Sequence, residues 1–223
     1  MPSPTDPRPR AVPLDEPDFL WPSRCSIACS QVSPPPDRTF SSVLEGRRSI
    51  RTMSPLRLRE VVNTLAYATL PRFRKEGDSA SRTARPALSA GALHPISIVT
   101  ITGGQSPRAF RYNSLAHRLE LLDAKRPSLK DILGQAESVL PGANGTLLMF
   151  VADAQRTEHW YTNSESLVWR DAGALLQTIA LTATAFGQAF CPIGLLGDAL
   201  VGGLNGHPHL TATGAAVIGQ SRP

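Results

Sequence analysis

Apolar and polar positions repeat with helical period from about residue 55 to 70. Leu58, Val61, Val62, Leu65 and Ala66 share one face, behind Ser54 as N-cap and Pro55 in the first turn. The β-branched run from Ile96 to Thr102 predicts a strand, and Phe110-Arg-Tyr-Asn and Arg118-Leu-Glu-Leu-Leu flank Ser114 to His117 as a hairpin. Ser128 can cap a short helix through Leu133, and the apolar stretch from Gly145 to Val151 predicts a buried strand. Leu167, Val168, Leu175, Leu176, Ile179 and Ala183 mark a long helix over about 164 to 187, and Ala215 to Gly219 closes as a last strand. Helices interleaved with strands, with a hairpin among them, predict an α+β three-layer α/β/α sandwich around a mixed central sheet.

Composition sets the boundaries. Of 20 prolines, ten lie in the first 36 residues. Residues 1 to 38 therefore read as an extended proline-rich arm, which Phe19, Leu20 and Trp21 could anchor on a partner surface, and residues 39 to 223 as the folded domain. The polar segment from Pro71 to Pro86 predicts a mobile loop. The uncharged run from Ala172 to Gly197 is broken by Gln177, Thr178, Thr182, Thr184, Gln188 and Pro192, too polar for hydrocarbon, so no membrane partner is expected. Cys25, Cys29 and Cys191 form neither a disulfide framework nor the paired thiols of a zinc site, and no metal is expected. With no basic segment followed by an apolar one at the N-terminus, the reading is a cytoplasmic protein.

Charge sharpens the picture. The chain carries a net charge of +5, yet residues 47 to 85 hold ten basic residues against Glu60, Glu76 and Asp78. A field that concentrated favours an anionic partner, a nucleotide phosphate or acidic peptide before nucleic acid, because aromatic residues for base stacking are sparse there. Arg47-Arg48-Ser49-Ile50-Arg51 heads the segment. Its guanidinium forks suit phosphate oxygens, although the same five residues could form a solvated basic turn. Arg85-Pro-Ala-Leu-Ser-Ala-Gly-Ala-Leu-His-Pro95 offers small residues, Ser89, Ala90 and Gly91, where backbone can approach a flat ligand. The long helix carries Asp171-Ala-Gly-Ala-Leu-Leu-Gln177, ends near Gly187 as a C-cap, and leads to a tight Pro192-Ile193-Gly194 loop with backbone N–H groups on offer.

In this order the three segments, with Val217-Ile-Gly219 after them, resemble the nitroreductase superfamily of FMN-dependent oxidoreductases over roughly residues 40 to 219. Within it, the stretch from Arg85 to Pro95 looks like that of the SagB-type dehydrogenases, which oxidise azolines to azoles in thiazole/oxazole-modified peptides. The resemblance implies that Arg47, Arg48, Ser49 and Arg51 contact the phosphate and ribityl chain of FMN. It places Ser89, Ala90 and Gly91 beside the isoalloxazine, and Pro192, Ile193 and Gly194 in a loop whose backbone N–H faces flavin N5, where a donor supports hydride acceptance. It further implies a homodimer with the long helix between subunits, and a peptide substrate delivered with a cyclodehydratase or carrier complex. FMN is expected rather than FAD because no G-x-G-x-x-G turn follows a strand to receive a pyrophosphate.

Departures from the family pattern fall at three places. Leu88 stands where a proline usually precedes the serine. In Thr157-Glu-His-Trp-Tyr161 the Lys-Tyr pair of the azoline dehydrogenases is reduced to Tyr161, so Tyr161 or His159 is the candidate catalytic base, or the segment only covers the substrate. Arg222 is the candidate for the further basic phosphate contact that many relatives carry on a C-terminal arm. His94 reads as a hydrogen-bonded loop histidine and His207-Pro-His209 as a surface turn. Three functions are consistent with this: an FMN-dependent azoline dehydrogenase, an NAD(P)H-dependent nitro- or quinone-reductase, and a flavin-free scaffold for an acidic partner.

Overall fold

The structure, a computed structural model, describes residues 5–14, 19–74, 76–77, 82–204 and 209–221. The N-terminal part carries β1 (Arg8–Pro9), β2 (Ser23–Ala28), α1 (Phe40–Gly46), β3 (Met53–Ser54), α2 (Leu58–Thr69), β4 (Phe73–Arg74) and β5 (Thr83–Ala84). A three-stranded meander, β6 (Ile96–Thr102), β7 (Arg108–Asn113) and β8 (Arg118–Leu122), precedes α3 (Arg126–Val139) and β9 (Thr146–Asp153). Then come α4 (Ala154–Glu158), β10 (Tyr161–Thr162), α5 (Glu165–Ala185), β11 (Gln188–Ile193), α6 (Asp198–Gly203) and β12 (Leu210–Ser221).

An eight-stranded sheet in the order β11-β12-β9-β6-β7-β8-β2, with β3 paired beside β12, is covered on both faces. Side chains alternate along the strands, so Ile98, Leu148, Phe150 and Ile218 meet Val61, Leu65, Val168, Leu175 and Ile179 of α2 and α5. Their neighbours Val99, Ile101, Met149, Val151 and Val217 meet Leu129, Ile132 and Leu200 of α3 and α6. Burial on both faces is why the Thr146–Asp153 strand reads as a continuous apolar run. The three-layer α+β architecture is as expected from the sequence.

The central sheet is not mixed, because each described ladder is antiparallel. The segment β9-α5-β11 is a helical crossover of the kind that yields parallel neighbours, but β12 inserts between its two strands and pairs antiparallel with both.

The proline-rich N-terminal segment is extended and docked on this chain. Ser23–Ala28 pairs with β8 as the edge strand of the main sheet, and Phe19 and Trp21 pack against the core of the α3/α6 face. Three local expectations are corrected. Ser54 does not cap α2; it pairs with Gln220 in β3, and the helix begins at Leu58 behind Arg57. The helix after the hairpin starts at Arg126 with Pro127 in its first turn, so Ser128 is internal, and Gly134 does not end it. The last strand runs over twelve residues, from Leu210, with an irregularity between Ala212 and Gly214. Within 71–86, Phe73–Arg74 and Thr83–Ala84 form a short two-stranded ladder. Among the described residues no helix is long and apolar enough to cross a membrane.

Candidate active site

Two residue clusters form at separate places along α5. At its C-terminal end, a Cβ on Gly46 would meet Thr184 at 3.8 Å, so the chain leaving α1 starts the Arg47–Arg51 segment there. The Ile50 N–H donates to the Phe190 carbonyl at 3.1 Å, which lays this segment along the outer edge of β11, the strand that Pro192 and Ile193 end. Arg47 is half-buried, and Arg48, Ser49 and Arg51 are exposed. Among the described residues the guanidiniums of Arg47, Arg48 and Arg51 have no hydrogen-bond or ion-pair partner, so all three are available to an anion. Burial pushes the Cys191 thiol up, and the Arg51 charge nearby opposes that shift.

Pro192 and Ile193 do not form a tight loop: they are the last two residues of β11, paired with Ala216 and Ala215, and Gly194 follows the strand. An edge strand tolerates Pro192, whose missing N–H would otherwise leave a gap in a ladder. Gly187, in the left-handed region at φ +71°, ends the long helix as its position suggests.

The second cluster lies near the other end of the helix. Asp171, buried on α5, accepts a hydrogen bond from Ser89 Oγ and another from the Ala90 N–H at 3.0 Å. Ser89 Oγ in turn accepts from the His94 N–H at 2.8 Å. This brace holds a turn in which Gly91, Ala92 and His94 all have positive φ, at +58°, +56° and +50°. Left-handed backbone costs a residue with a Cβ on the order of 1 kcal/mol, so the carboxylate offsets a strained conformation at Ala92 and His94. Gly91 is required twice over, by its φ and because a Cβ there would stand 2.8 Å from the Tyr161 hydroxyl. Tyr161 thus rests its phenol on the Ser89–Gly91 turn.

His159 caps α4 and its ring packs at a tilt beside Trp160, with ring centroids 6.2 Å apart. His94 is held by Nε2 donation to the Thr83 carbonyl at 2.8 Å, and its pKa falls to about 4 through burial and the charge of Arg85. It is the hydrogen-bonded loop histidine expected from the sequence. Burial raises the Asp171 pKa against the lowering effect of its bonds to Ser89 and Ala90 and of Arg170. Arg222 and His207 lie outside the described residues.

Asp171 and Thr184 are 13 positions apart on one helix, which separates the two clusters by about 20 Å along the axis. The structure therefore lays Arg47–Arg51 along the strand that ends in Pro192 and Ile193, and brings Gly91 of the Ser89–Gly91 turn to Tyr161, with the two clusters apart. Asp171 carries no role in the sequence reading. Its signal was present all the same, as a carboxylate in the buried stripe Leu167, Val168, Asp171, Ala172, Leu175, a position that demands partners.

No family model matches the chain, and no curated protein matches it. Solved structures match across nearly its whole length. A protein from Ralstonia eutropha JMP134 described as a nitroreductase superposes with a TM-score of 0.66 at 17% identity, over 98% of this chain and 100% of that one. A chain of the Escherichia coli microcin synthetase McbBCD complex with truncated pro-MccB17 bound gives 0.58 at 17% identity, over 96% and 84%. A Staphylococcus epidermidis ATCC 12228 protein described as an NAD(P)H:FMN oxidoreductase gives 0.56 at 15% identity, over 88% and 92%. The chain has the nitroreductase fold.

Proposed function

We propose that this chain is an FMN-dependent oxidoreductase that oxidises azoline rings of a peptide to azoles. The observation that carries the flavin assignment is the bond from Ile50 to Phe190, which sets Arg47, Arg48, Ser49 and Arg51 along the strand that Pro192 and Ile193 end, with Gly194 next. Three guanidiniums with no partner among the described residues, along the edge strand that ends in Pro192 and Ile193, fit one phosphate and the flavin attached to it. Fold likeness to the NAD(P)H:FMN oxidoreductase supports the same cofactor. Likeness to a microcin synthetase chain solved with a peptide precursor, together with the Arg85 to Pro95 stretch, supports a peptide substrate and synthetase-type partners.

The 20 Å between the two clusters is the geometric argument for a homodimer. A two-fold pairing across the exposed side of α5, where Trp169 is 41% exposed, would set the Arg47–Arg51 end of one protomer against the Ser89–Gly91 turn of the other. Each site then draws on both chains. FMN, when bound, supplies the hydride acceptor at N5. Azoline oxidation also removes a proton from ring carbon, and Tyr161, packed on the turn, is the side chain we assign to it, while the His159 ring packs beside Trp160.

The test is reconstitution and turnover. Purified protein should be yellow, and replacing Arg47 and Arg51 together with alanine should strip the flavin while the fold is kept; full colour in that variant would refute the phosphate site. With a thiazoline peptide, oxygen should suffice as electron acceptor. Steady NADPH oxidation with a nitroaromatic and no azoline turnover would favour the reductase reading, which the likeness to the NAD(P)H:FMN oxidoreductase supports.

A further inference from the structure

A cation to which this reading gives no role is Arg85. Its Nε donates to Thr83 Oγ1 at 2.8 Å and its Nη1 to Ser114 Oγ at 2.9 Å, both neutral oxygens. No carboxylate among the described residues pairs with it. Arg111, nearby, is neutralised by Glu120 at 2.6 Å. Burial and the like charges of Arg156, Arg74 and Arg111 lower the Arg85 pKa to about 10, so the guanidinium is held where its charge is unfavourable. A guanidinium has five N–H donors, and among the described residues two are used here.

The three remaining donors belong to a residue that lines a cleft where β6 begins and β7 turns toward β8. The cleft has a volume of about 420 Å³ and opens to solvent, large enough for a small organic molecule or a peptide end. Leu20 and Trp21 of the N-terminal segment wall one side, and Ile96 adds apolar surface. Among the described residues Arg85, Arg111 and Arg156 line it against Glu120 and Asp153, and with His94 neutral at pH 7 their formal charge sums to +1. That balance matches a monoanion. A phosphate dianion would overcompensate it beside two carboxylates. The Arg47–Arg51 cluster is far off, on β11 at the opposite edge of the sheet from β7 and β8.

We propose that this cleft binds a monocarboxylate with an apolar body, its carboxylate seated on the free donors of Arg85 and the body against Leu20 and Trp21. The planar fork of arginine pairs with a carboxylate through two parallel N–H···O bonds, and the neutral amide of the same shape cannot supply the charge. The cleft borders the Ser89–Gly91 turn through His94, but the carboxylate contact at Arg85 needs no flavin, so a colourless protein would still bind the acid.

The experiment titrates the full-length chain with sodium benzoate and with benzamide, its uncharged analogue, by calorimetry. Benzoate should bind at least about tenfold more tightly than benzamide. Arg85→Gln should lose at least about tenfold in benzoate affinity with benzamide unchanged. Leu20, 86% exposed, can be altered without risk to the core, and Leu20→Glu should weaken benzoate by repulsion at the cleft wall. The Arg47→Ala/Arg51→Ala double variant should bind benzoate as the wild type does. Peptides ending in phenylalanine then separate the sources. Tighter binding of the free acid than of benzoate identifies a peptide C-terminus, and weaker binding identifies a small free acid, each consistent with the site. Equal binding of benzoate and benzamide would overturn the proposal, as would displacement of benzoate by inorganic phosphate at matched ionic strength. Benzoate affinity that survives both Arg85→Gln and Leu20→Glu, or is lost in the Arg47/Arg51 variant, would overturn it too.

Discussion

Replacing Asp171 with alanine tests whether the brace under the Ser89–Gly91 turn is energetic or incidental. The substitution removes a buried acceptor from Ser89 Oγ and from the Ala90 N–H and leaves both donors unsatisfied. Hydrogen bonds to a charged group are worth about 1.5–3 kcal/mol each, which places the gross loss near 3–6 kcal/mol. Part of this is returned, because burial already disfavours the carboxylate and raises its pKa, so the net cost is about 2–4 kcal/mol. For a chain of this size that corresponds to a Tm lowered by about 5–15 °C. Asp171→Asn keeps the shape and one acceptor but turns an amide N–H₂ toward the second donor, and should cost about half as much. Urea unfolding followed by circular dichroism gives the stability. Amide resonances of Ala90, Gly91 and His94 report the turn and should shift well before global unfolding, since Ala92 and His94 lose what holds them at positive φ. An alanine variant within about 0.5 kcal/mol of wild type, with those resonances unmoved, would refute the reasoning.

Gly91→Ala should cost about 1–2 kcal/mol from its left-handed φ alone, and should displace the Tyr161 ring, read as altered tyrosine contacts by NMR. Tyr161→Phe should lower azoline turnover by on the order of 10² while leaving the flavin spectrum unchanged; wild-type turnover in that variant with an inactive His159→Ala would move the base to the histidine. The His94 pKa is depressed from 6.5 to about 4, so the neutral form is the one the fold favours. Its contribution to stability is complete above pH 6.5 and is lost as pH falls toward 4; discounted for partial exposure it amounts to about 1–2 kcal/mol, and His94→Gln should flatten the slope of urea midpoint against pH between those values.

Local periodicity fixed the elements whose own side chains decide their state. The Ile96–Thr102 strand, the hairpin after it, the long helix and the buried strand ending in Asp153 were legible because each buries an apolar face at period two or 3.6. What depended on a partner was not. Ser23–Ala28 is exposed at each residue and sits among prolines; only the free edge of β8 makes it a strand. Ser54 has the chemistry of an N-cap, yet pairing with Gln220 claims it, and Pro192–Ile193 reads as a turn until β12 lies beside it. The same division holds for the candidate site. Residue types alone pointed to an arginine cluster for phosphate and to a small-residue turn for a flat ligand. That Asp171 braces the turn and Tyr161 rests on it, and that α5 holds the two clusters about 20 Å apart, are matters of chain path. They follow from contacts between segments some 70 to 140 residues apart in sequence, such as Ser89 with Asp171 and Ile50 with Phe190, which no local pattern encodes.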